Sequence, residues 1–140
     1  MSSVRSQRIF FRRLGEALSP YQLLEAVLRF HIAMAQDKIQ SLVAGRVPFH
    51  YSPSEYENLS LGRLINVYAR HSDNPPLIER LRKAAAKRNY IAHRVVEEYM
   101  SHHEAKPRFA ARISRELKKL ESDGQDLVEE ALKELRVLSR

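Results

Sequence analysis

The stretch KRNYIAHRVVEEY, residues 87–99, places Arg88, Asn89 and His93 within six residues of what is otherwise a helical pattern. Histidine is the side chain best suited to proton transfer near neutral pH. Arginine presents a planar fork of N–H donors that matches phosphate oxygens. An Arg and a His without a carboxylate cluster suit metal-free cleavage of a phosphodiester. In RNA the neighbouring 2′-hydroxyl supplies the nucleophile, so the protein need only move protons and stabilise the developing charge.

Helical geometry predicts how these side chains are arranged. Residues four apart lie on one face, so Asn89, His93 and Glu97 form a row, with Arg82 near the same line. Asn89 or Glu97 could accept a hydrogen bond from the imidazole and fix its tautomer. Arg88 is displaced around the helix, but its long side chain can reach the groove that this row defines.

The ordinary alternative is an exposed helix turn held by pairs such as Arg94 with Glu98. Arginine and histidine are common on helix surfaces, so their spacing alone favours this alternative. Asn89 counts mildly against it, because asparagine is a poor residue for a helix interior.

The elements that must position these residues are all helical. The spacing predicts a basic helix over residues 4–18, a second over 19–45 capped by Ser19 and Pro20, a short helix after Ser60, a long helix from Pro75 to about His102, and a last helix over 107–138. No stretch shows the alternation of a strand. We therefore expect residues 1–140 to form one all-α domain, an up-and-down bundle of four to five helices.

The apolar residues predict which face of each helix is buried. In the second helix the predicted face contains Leu23, Val27, Phe30, Met34, Ile39 and Leu42. In the long helix it contains Ile78, Leu81, Ala85, Ala92, Val96 and Tyr99. In the last helix it contains Ile113, Leu117, Leu120, Leu127 and Leu135, and Ser122–Gly124 is predicted to be a soft point.

The net charge of +7 is compatible with an anionic partner such as RNA, although a solvated basic surface is the ordinary reading. Arg5, Arg8, Arg12 and Arg13 precede every acidic residue. Around the motif stands a second basic group, of which Arg82, Lys87 and Arg94 are predicted to contact RNA. With no Cys and no long apolar run, we expect a cytoplasmic protein without a membrane segment.

Other chemistry finds little support in the sequence. His102, His103 and Glu104 lack a second pair of ligands, so we expect neither a metal nor any other cofactor. His31 is expected at the edge of the core. The tyrosine-rich loop FHYSPSEYENL could stack on bases but is more ordinarily a packed loop. The segment RSQRIFFRR could lie on a membrane surface or grip RNA, and we expect it to dock on the bundle through Ile9, Phe10 and Phe11.

The segment RNYIAH matches the R-x4-6-H pattern of the HEPN superfamily, including the polar residue that often follows the arginine. The run SLGRLINVY, a loop, and LIERLRKAAAKRNYIAH also resembles many bacterial members, over roughly residues 20 to 100. The resemblance implies a bundle that dimerises through the motif helix and acts as a metal-independent endoribonuclease, in toxin–antitoxin, phage-defence or RNA-processing systems. Arg88 would then bind the scissile phosphate, Asn89 would position the phosphate or the histidine, and His93 would be the general acid or base. Glu97 is added on geometry alone.

One departure from the family concerns position 95. A subgroup paired with nucleotidyltransferase antitoxins has tyrosine two positions after the histidine, where this chain has Val95. A cognate antitoxin of that type is therefore not expected, although another antitoxin or regulatory protein is compatible with the resemblance. The superfamily also contains members that bind nucleotides or proteins without cutting RNA. A non-catalytic regulatory or scaffolding module, or a helical nucleic-acid-binding protein, is the alternative reading.

Overall fold

A computed structural model of the protein describes residues 2–102 and 107–140, which form helices and connecting turns without a strand. The prediction of an all-α fold is confirmed over these residues. The helices are α1 (Ser2–Val43), α2 (Leu61–Tyr68), α3 (Pro75–Tyr90), α4 (Val96–His102) and α5 (Pro107–Leu138). Short 3₁₀ turns lie at Pro53–Tyr56 and Ala69–His71. A π-helical turn, Ile91–Val95, joins α3 to α4 without a break between them.

The first helix differs from its prediction. α1 runs through Ser19 and Pro20, where the sequence predicted that one helix ends and another begins. Proline removes a backbone hydrogen bond and normally breaks a helix. In α1 the buried side chains recur at alternating steps of four and three on both sides of Pro20, so the two halves pack as one helix. These residues are Phe10, Leu14, Ala17, Tyr21, Leu24, Leu28, His31 and Ala35. The prediction of a separate helix ending at residue 18 is therefore wrong.

The buried face of α1 is also not the predicted one. Leu23 and Phe30, which were expected in the core, are 54% and 59% exposed, and Leu42 is exposed as well. Val27 is buried as predicted. The sequence of α1 carries two apolar stripes, and its periodicity alone does not say which of them faces the other helices. The stripe with the seven-residue repeat is buried because it packs mainly on α5.

α5 runs parallel to α1. Near the start of both helices, a guanidinium nitrogen of Arg13 donates to the Ser114 hydroxyl at 3.0 Å. Near their ends, the Lys38 ammonium donates to the carbonyl of Leu138. The contacts therefore occur in the same order along both helices, so α1 and α5 are parallel. α5 carries a matching repeat of buried residues at steps of four and three: Ile113, Leu117, Leu120, Gly124, Leu127 and Ala131.

Gly124 lies at a close approach of α1 and α5. A Cβ atom added at Gly124 would lie 2.8 Å from Cε2 of Tyr21 and 2.9 Å from Cβ of Pro20. The Tyr21 hydroxyl donates to the Leu120 carbonyl at 2.9 Å, one turn earlier on α5. α5 is continuous through the predicted soft point at residues 122–124, and Gly124 serves close packing there.

The starts of α2 and α3 follow their predicted caps. The Ser60 hydroxyl accepts a hydrogen bond from the backbone N–H of Arg63. The Asn74 carbonyl Oδ1 accepts one from the N–H of Leu77 at 3.2 Å. Two prolines occupy the first positions of α3, where a missing N–H costs nothing. The predicted inner side of α2 is buried in full: Leu61, Leu64, Ile65 and Tyr68.

Candidate functional site

The motif spans the junction between α3 and the π-helical turn. Arg88 and Asn89 lie in the last turn of α3, and His93 lies in the middle of Ile91–Val95. Such π-helical turns are rare and frequently occur at functional sites. The sequence pattern predicts a regular α-helix through this region and gives no sign of the turn.

The burial pattern gives a physical reason for the π-helical turn. Ile91 and Val95 are buried, whereas Ala92 and Val96, which were predicted on the apolar face, are only half-buried. A turn closed by hydrogen bonds between residues five apart is wider than the 3.6 residues of an α-turn. It therefore advances less around the helix axis with each residue, which leaves Ile91 and Val95 on the buried side and Ala92 and Val96 at its edge. Both Ile91 and Val95 are thus buried in the core, and the helix departs from the α-helical register at this turn.

Arg88 is held by its neighbour and by burial. Its Nη1 donates to Asn89 Oδ1 at 3.1 Å. The side chain is half-buried, and its Nε lies out of contact with solvent without a hydrogen-bond partner among the described residues. Asn89 thus orients the guanidinium group, which keeps N–H donors available for an anion.

His93 is exposed, as are Asn89 and Glu97. Within residues 2–102 and 107–140, the imidazole of His93 makes no hydrogen bond, and neither Asn89 nor Glu97 fixes its tautomer as the sequence suggested. Asn89 Oδ1 instead accepts a hydrogen bond from Arg88 Nη1.

The spacing of Arg88 and His93 gains a different meaning from the π-helical turn. Residues five apart stand about 140° apart around a regular α-helix. Because part of the interval from Arg88 to His93 is π-helical, the angle between these side chains is smaller. The structure thus favours a shared face for the two residues more than a straight α-helix would.

The cations predicted to contact RNA do not form one cluster. Arg82 is exposed and its Nη2 reaches Asn66 Oδ1 on α2 at 3.5 Å. Lys87 is half-buried on the edge of α3 that faces α5. Arg94 is exposed in the π-helical turn. Arg82 and Lys87 therefore lie on different edges of the continuous helix from Pro75 to His102, which we call the α3–α4 rod. The edge with Lys87 faces α5.

A groove of about 300 Å³ lies between α3 and α5. We call it the α3–α5 groove, and it is lined by Arg80, Lys83, Ala84, Lys87, Asp123 and Leu127. The basic residues of α3 are evident in the sequence, but the groove is not. The steps of three and four from residue 80 to 83 and 87 place them on one face, which was the available signal. The contribution of α5 depends on packing and left no signal in the sequence.

The basic amino-terminal part of α1 docks only in part as expected. The ring of Phe10 is buried and stacks on Tyr99 of α4, with centroids 3.8 Å apart. Ile9 and Phe11 are 42% and 46% exposed. The Phe11 ring still meets Tyr99 edge-on, with centroids 6.2 Å apart, so Phe11 docks with part of its surface. Arg5, Arg8 and Arg12 are exposed.

The tyrosine-rich loop is tied to α1. The Tyr51 hydroxyl donates to Asp37 at 3.0 Å, and the Tyr56 hydroxyl accepts from the Gln36 amide. These bonds favour the packed-loop reading over base stacking.

His31 is buried next to Tyr68 and belongs to the core. Its Nε2 lies 3.1 Å from the carbonyl oxygen of His71, which can only accept, so the Nε2–H donates. Its Nδ1 is buried without a partner among the described residues. Burial lowers the pKa of His31, which the hydrogen bond to His71 only partly offsets. Burial likewise lowers the pKa of His71.

Neither a metal centre nor a membrane span is found in the described part of the chain. No three His, Cys, Asp or Glu side chains there are grouped to hold an ion. The candidate of His102, His103 and Glu104 lies outside the described side chains. None of the helices described has an apolar stretch long enough to cross a bilayer.

Comparison with known proteins adds no family assignment. No protein-family model matches the chain, and no curated protein or solved structure matches it significantly.

Proposed function

We propose that the protein is a metal-independent endoribonuclease of the HEPN type. The observation that carries this proposal is the π-helical turn at Ile91–Val95, which places His93 on the surface five residues after an arginine held by Asn89. A histidine for proton transfer and an oriented guanidinium for phosphate charge are what cleavage of RNA by its own 2′-hydroxyl requires.

In this mechanism the 2′-oxygen attacks the adjacent phosphorus and the bond from phosphorus to the 5′-oxygen breaks. The products are a 2′,3′-cyclic phosphate and a 5′-hydroxyl. The 2′-hydroxyl loses a proton and the leaving 5′-oxygen gains one. His93 makes one of these two transfers, and water makes the other. Arg88 binds the non-bridging phosphate oxygens, whose negative charge grows in the transition state. Asn89 holds the guanidinium group by the hydrogen bond described above.

The proposal includes an up-and-down bundle that forms a homodimer through the motif helix. Two large apolar side chains flank His93 on this helix, and both are exposed: Tyr90 at 52% and Met100 at 59%. Such side chains are candidates for a contact with a second copy. A two-fold axis at that contact brings the Arg88 and His93 residues of both copies to one cleft.

A second function, a non-catalytic HEPN-like module that binds a regulatory protein, is favoured by one observation. His93 has no hydrogen bond to orient it within residues 2–102 and 107–140, whereas general bases are usually held by a third group. In this reading Arg88 and His93 are surface residues that contact the partner.

The test compares the wild type with His93→Ala on mixed single-stranded RNA, with EDTA present throughout. We expect the wild type to cut RNA and to leave cyclic-phosphate ends, which mass spectrometry of the products identifies. His93→Ala should lose about 100-fold or more in rate, the usual contribution of a general acid or base. Sedimentation should show a dimer for both proteins.

The matched control is His50→Ala, because His50 is exposed in the loop after α1. This variant should cut RNA at the wild-type rate. If the wild type leaves RNA intact over a wide range of concentrations, the enzyme proposal fails and the binding module becomes the better reading. Equal cutting by His93→Ala would also refute it.

A further inference from the structure

We propose that the α3–α5 groove binds the phosphodiester backbone of a single-stranded RNA as a second contact, separate from the Arg88–His93 motif. This inference rests on the proposed function insofar as it takes RNA as the ligand. The groove itself was described above from its lining residues, and its charge, its unpaired cations and its position support the inference.

The charge of the groove favours an anion. Its lining contains the three cations Arg80, Lys83 and Lys87 but only one carboxylate, Asp123. Lys83 is the cation that is already paired, with Glu79 at 3.2 Å. An anion that enters the groove therefore meets an excess of positive charge.

Two of these cations are unpaired. In the part of the chain that the structure describes, Arg80 and Lys87 form neither an ion pair nor a side-chain hydrogen bond. Lys87 is half-buried, and long basic side chains commonly pack their aliphatic stems while the charged head stays accessible. Both cations are therefore available to a phosphate in the groove.

The spacing of the cations suits an extended strand. Arg80 and Lys87 are separated by seven residues, which is about 10 Å along α3. They can therefore contact different phosphates of one chain. Ala84 and Leu127 supply an apolar surface between the charges, where the face of a ribose or a base can pack.

The position of the groove connects it to the motif. Lys87 lines the groove and directly precedes Arg88. A strand held by Arg80 and Lys87 thus extends toward the residue that would bind the scissile phosphate. This arrangement gives the enzyme a contact with the flanking part of its substrate.

The groove fits RNA better than a protein partner. The central parts of protein interfaces are rich in aromatic and other large apolar side chains and poor in charge. Among the residues that the structure describes, the lining has no aromatic residue and a single large apolar one, Leu127. Single-stranded nucleic acid binding depends instead on a positively charged groove that follows the backbone.

The test measures binding of a fluorescein-labelled single-stranded RNA by anisotropy over a series of KCl concentrations. All proteins carry His93→Ala, so that the RNA stays intact. Adding Arg80→Ala with Lys87→Ala should weaken binding and reduce the slope of log K against log salt by about 1.4, at about 0.7 for each lost phosphate contact. Asp123→Asn should tighten binding, because it removes the carboxylate that repels phosphate.

The control pair, Lys118→Ala with Arg136→Ala, loses the same charge from exposed positions of α5 outside the groove. Its salt slope should change less than that of the groove pair. Circular dichroism and thermal unfolding establish that each variant is folded.

Equal slopes for the groove pair and the control pair would overturn the inference. So would an absence of RNA binding by the His93→Ala protein, or stronger competition by poly-glutamate than by unlabelled RNA. Failure of the proposed function is seen separately, as intact RNA with the wild type. A catalytically inactive protein whose RNA binding still depends on Arg80 and Lys87 would leave the groove inference standing.

Discussion

Arg88 is the residue whose chemistry the structure describes most closely. Asn89 accepts from its Nη1, while its Nε is buried and unpaired among the described residues. A guanidinium fixed in this way has paid part of its ordering cost before it meets a phosphate. His93 differs, because it is exposed and has no described hydrogen bond. In the proposed mechanism its orientation comes from the substrate or from a second copy.

Replacing Arg88 by lysine tests whether the fork of donors matters. Lysine keeps the charge but lacks the planar fork that donates to Asn89 and to two phosphate oxygens in fixed directions. We expect RNA cleavage by Arg88→Lys to fall about 100-fold, as for the loss of one charge-stabilising donor, with little change in melting temperature.

Arg115→Lys is the matched control, since Arg115 is exposed on α5, and it should cut RNA as the wild type does. Unimpaired cleavage by Arg88→Lys would show that charge alone suffices. A large fall in its melting temperature would show that Arg88 is structural.

At the scale of elements, the pairing of α1 with α5 organises the protein. The two helices carry seven-residue repeats of buried residues that face each other. Pro20 and Gly124 lie together at a close approach of the two helices. The residue that should break α1 therefore lies against the residue that makes room for it on α5.

Gly124→Ala tests this close approach. Alanine is normally favoured over glycine within a helix by about 1 kcal/mol. At position 124 the added methyl would meet Tyr21 and Pro20 at less than 3 Å, and overpacking typically costs about 1–3 kcal/mol. We expect the free energy of unfolding in urea to fall.

Gly15→Ala is the control for this change, because no atom lies within 4 Å of a Cβ added at Gly15 in α1. It should stabilise the protein or leave it unchanged. If both alanine variants are stabilised, the helices do not approach at Gly124 as described.

The α3–α4 rod is the second organising element. Within it, Ile91 and Val95 are both buried, and the helix departs from the regular α-helical register at these residues. The same turn reduces the angle between Arg88 and His93 around the helix. Packing of the core and geometry of the motif therefore have one cause.

On the scale of the whole molecule, the buried His31 links folding to pH. Its pKa in the folded protein is lowered by burial, as is that of His71. The histidine pKa in the unfolded chain is near 6.5. At a pH between this value and the lowered pKa of the folded state, the unfolded chain therefore binds more protons than the folded protein does. Stability should be lost as the pH falls below about 6.5.

Urea unfolding at pH 7.5, 6.5 and 5.5 measures this dependence. We expect a falling free energy of unfolding for the wild type and a shallower fall for His31→Gln, whose amide can still donate to the His71 carbonyl. His50→Gln, an exposed control, should keep the wild-type dependence. A wild-type stability that is constant over this range would contradict the described burial of His31.

Local sequence signals determined the helical class, the caps at Ser60 and Asn74, and the inner side of α2. Each depends on interactions within a few residues: a side-chain oxygen that accepts a nearby N–H, or apolar residues spaced by one turn. The motif of Arg88, Asn89 and His93 was visible for the same reason.

Tertiary structure decided what depends on a distant partner. The heptad of α1 was present in the sequence, but a second apolar stripe containing Leu23 and Phe30 competed with it, and only packing on α5 selected one. Packing of α1 on α5 likewise explains why α1 continues through Pro20. The π-helical turn and the α3–α5 groove follow from how α3 and α4 meet the core and α5. No local pattern encodes these, because the free energy that stabilises them comes from contacts between residues far apart in the chain.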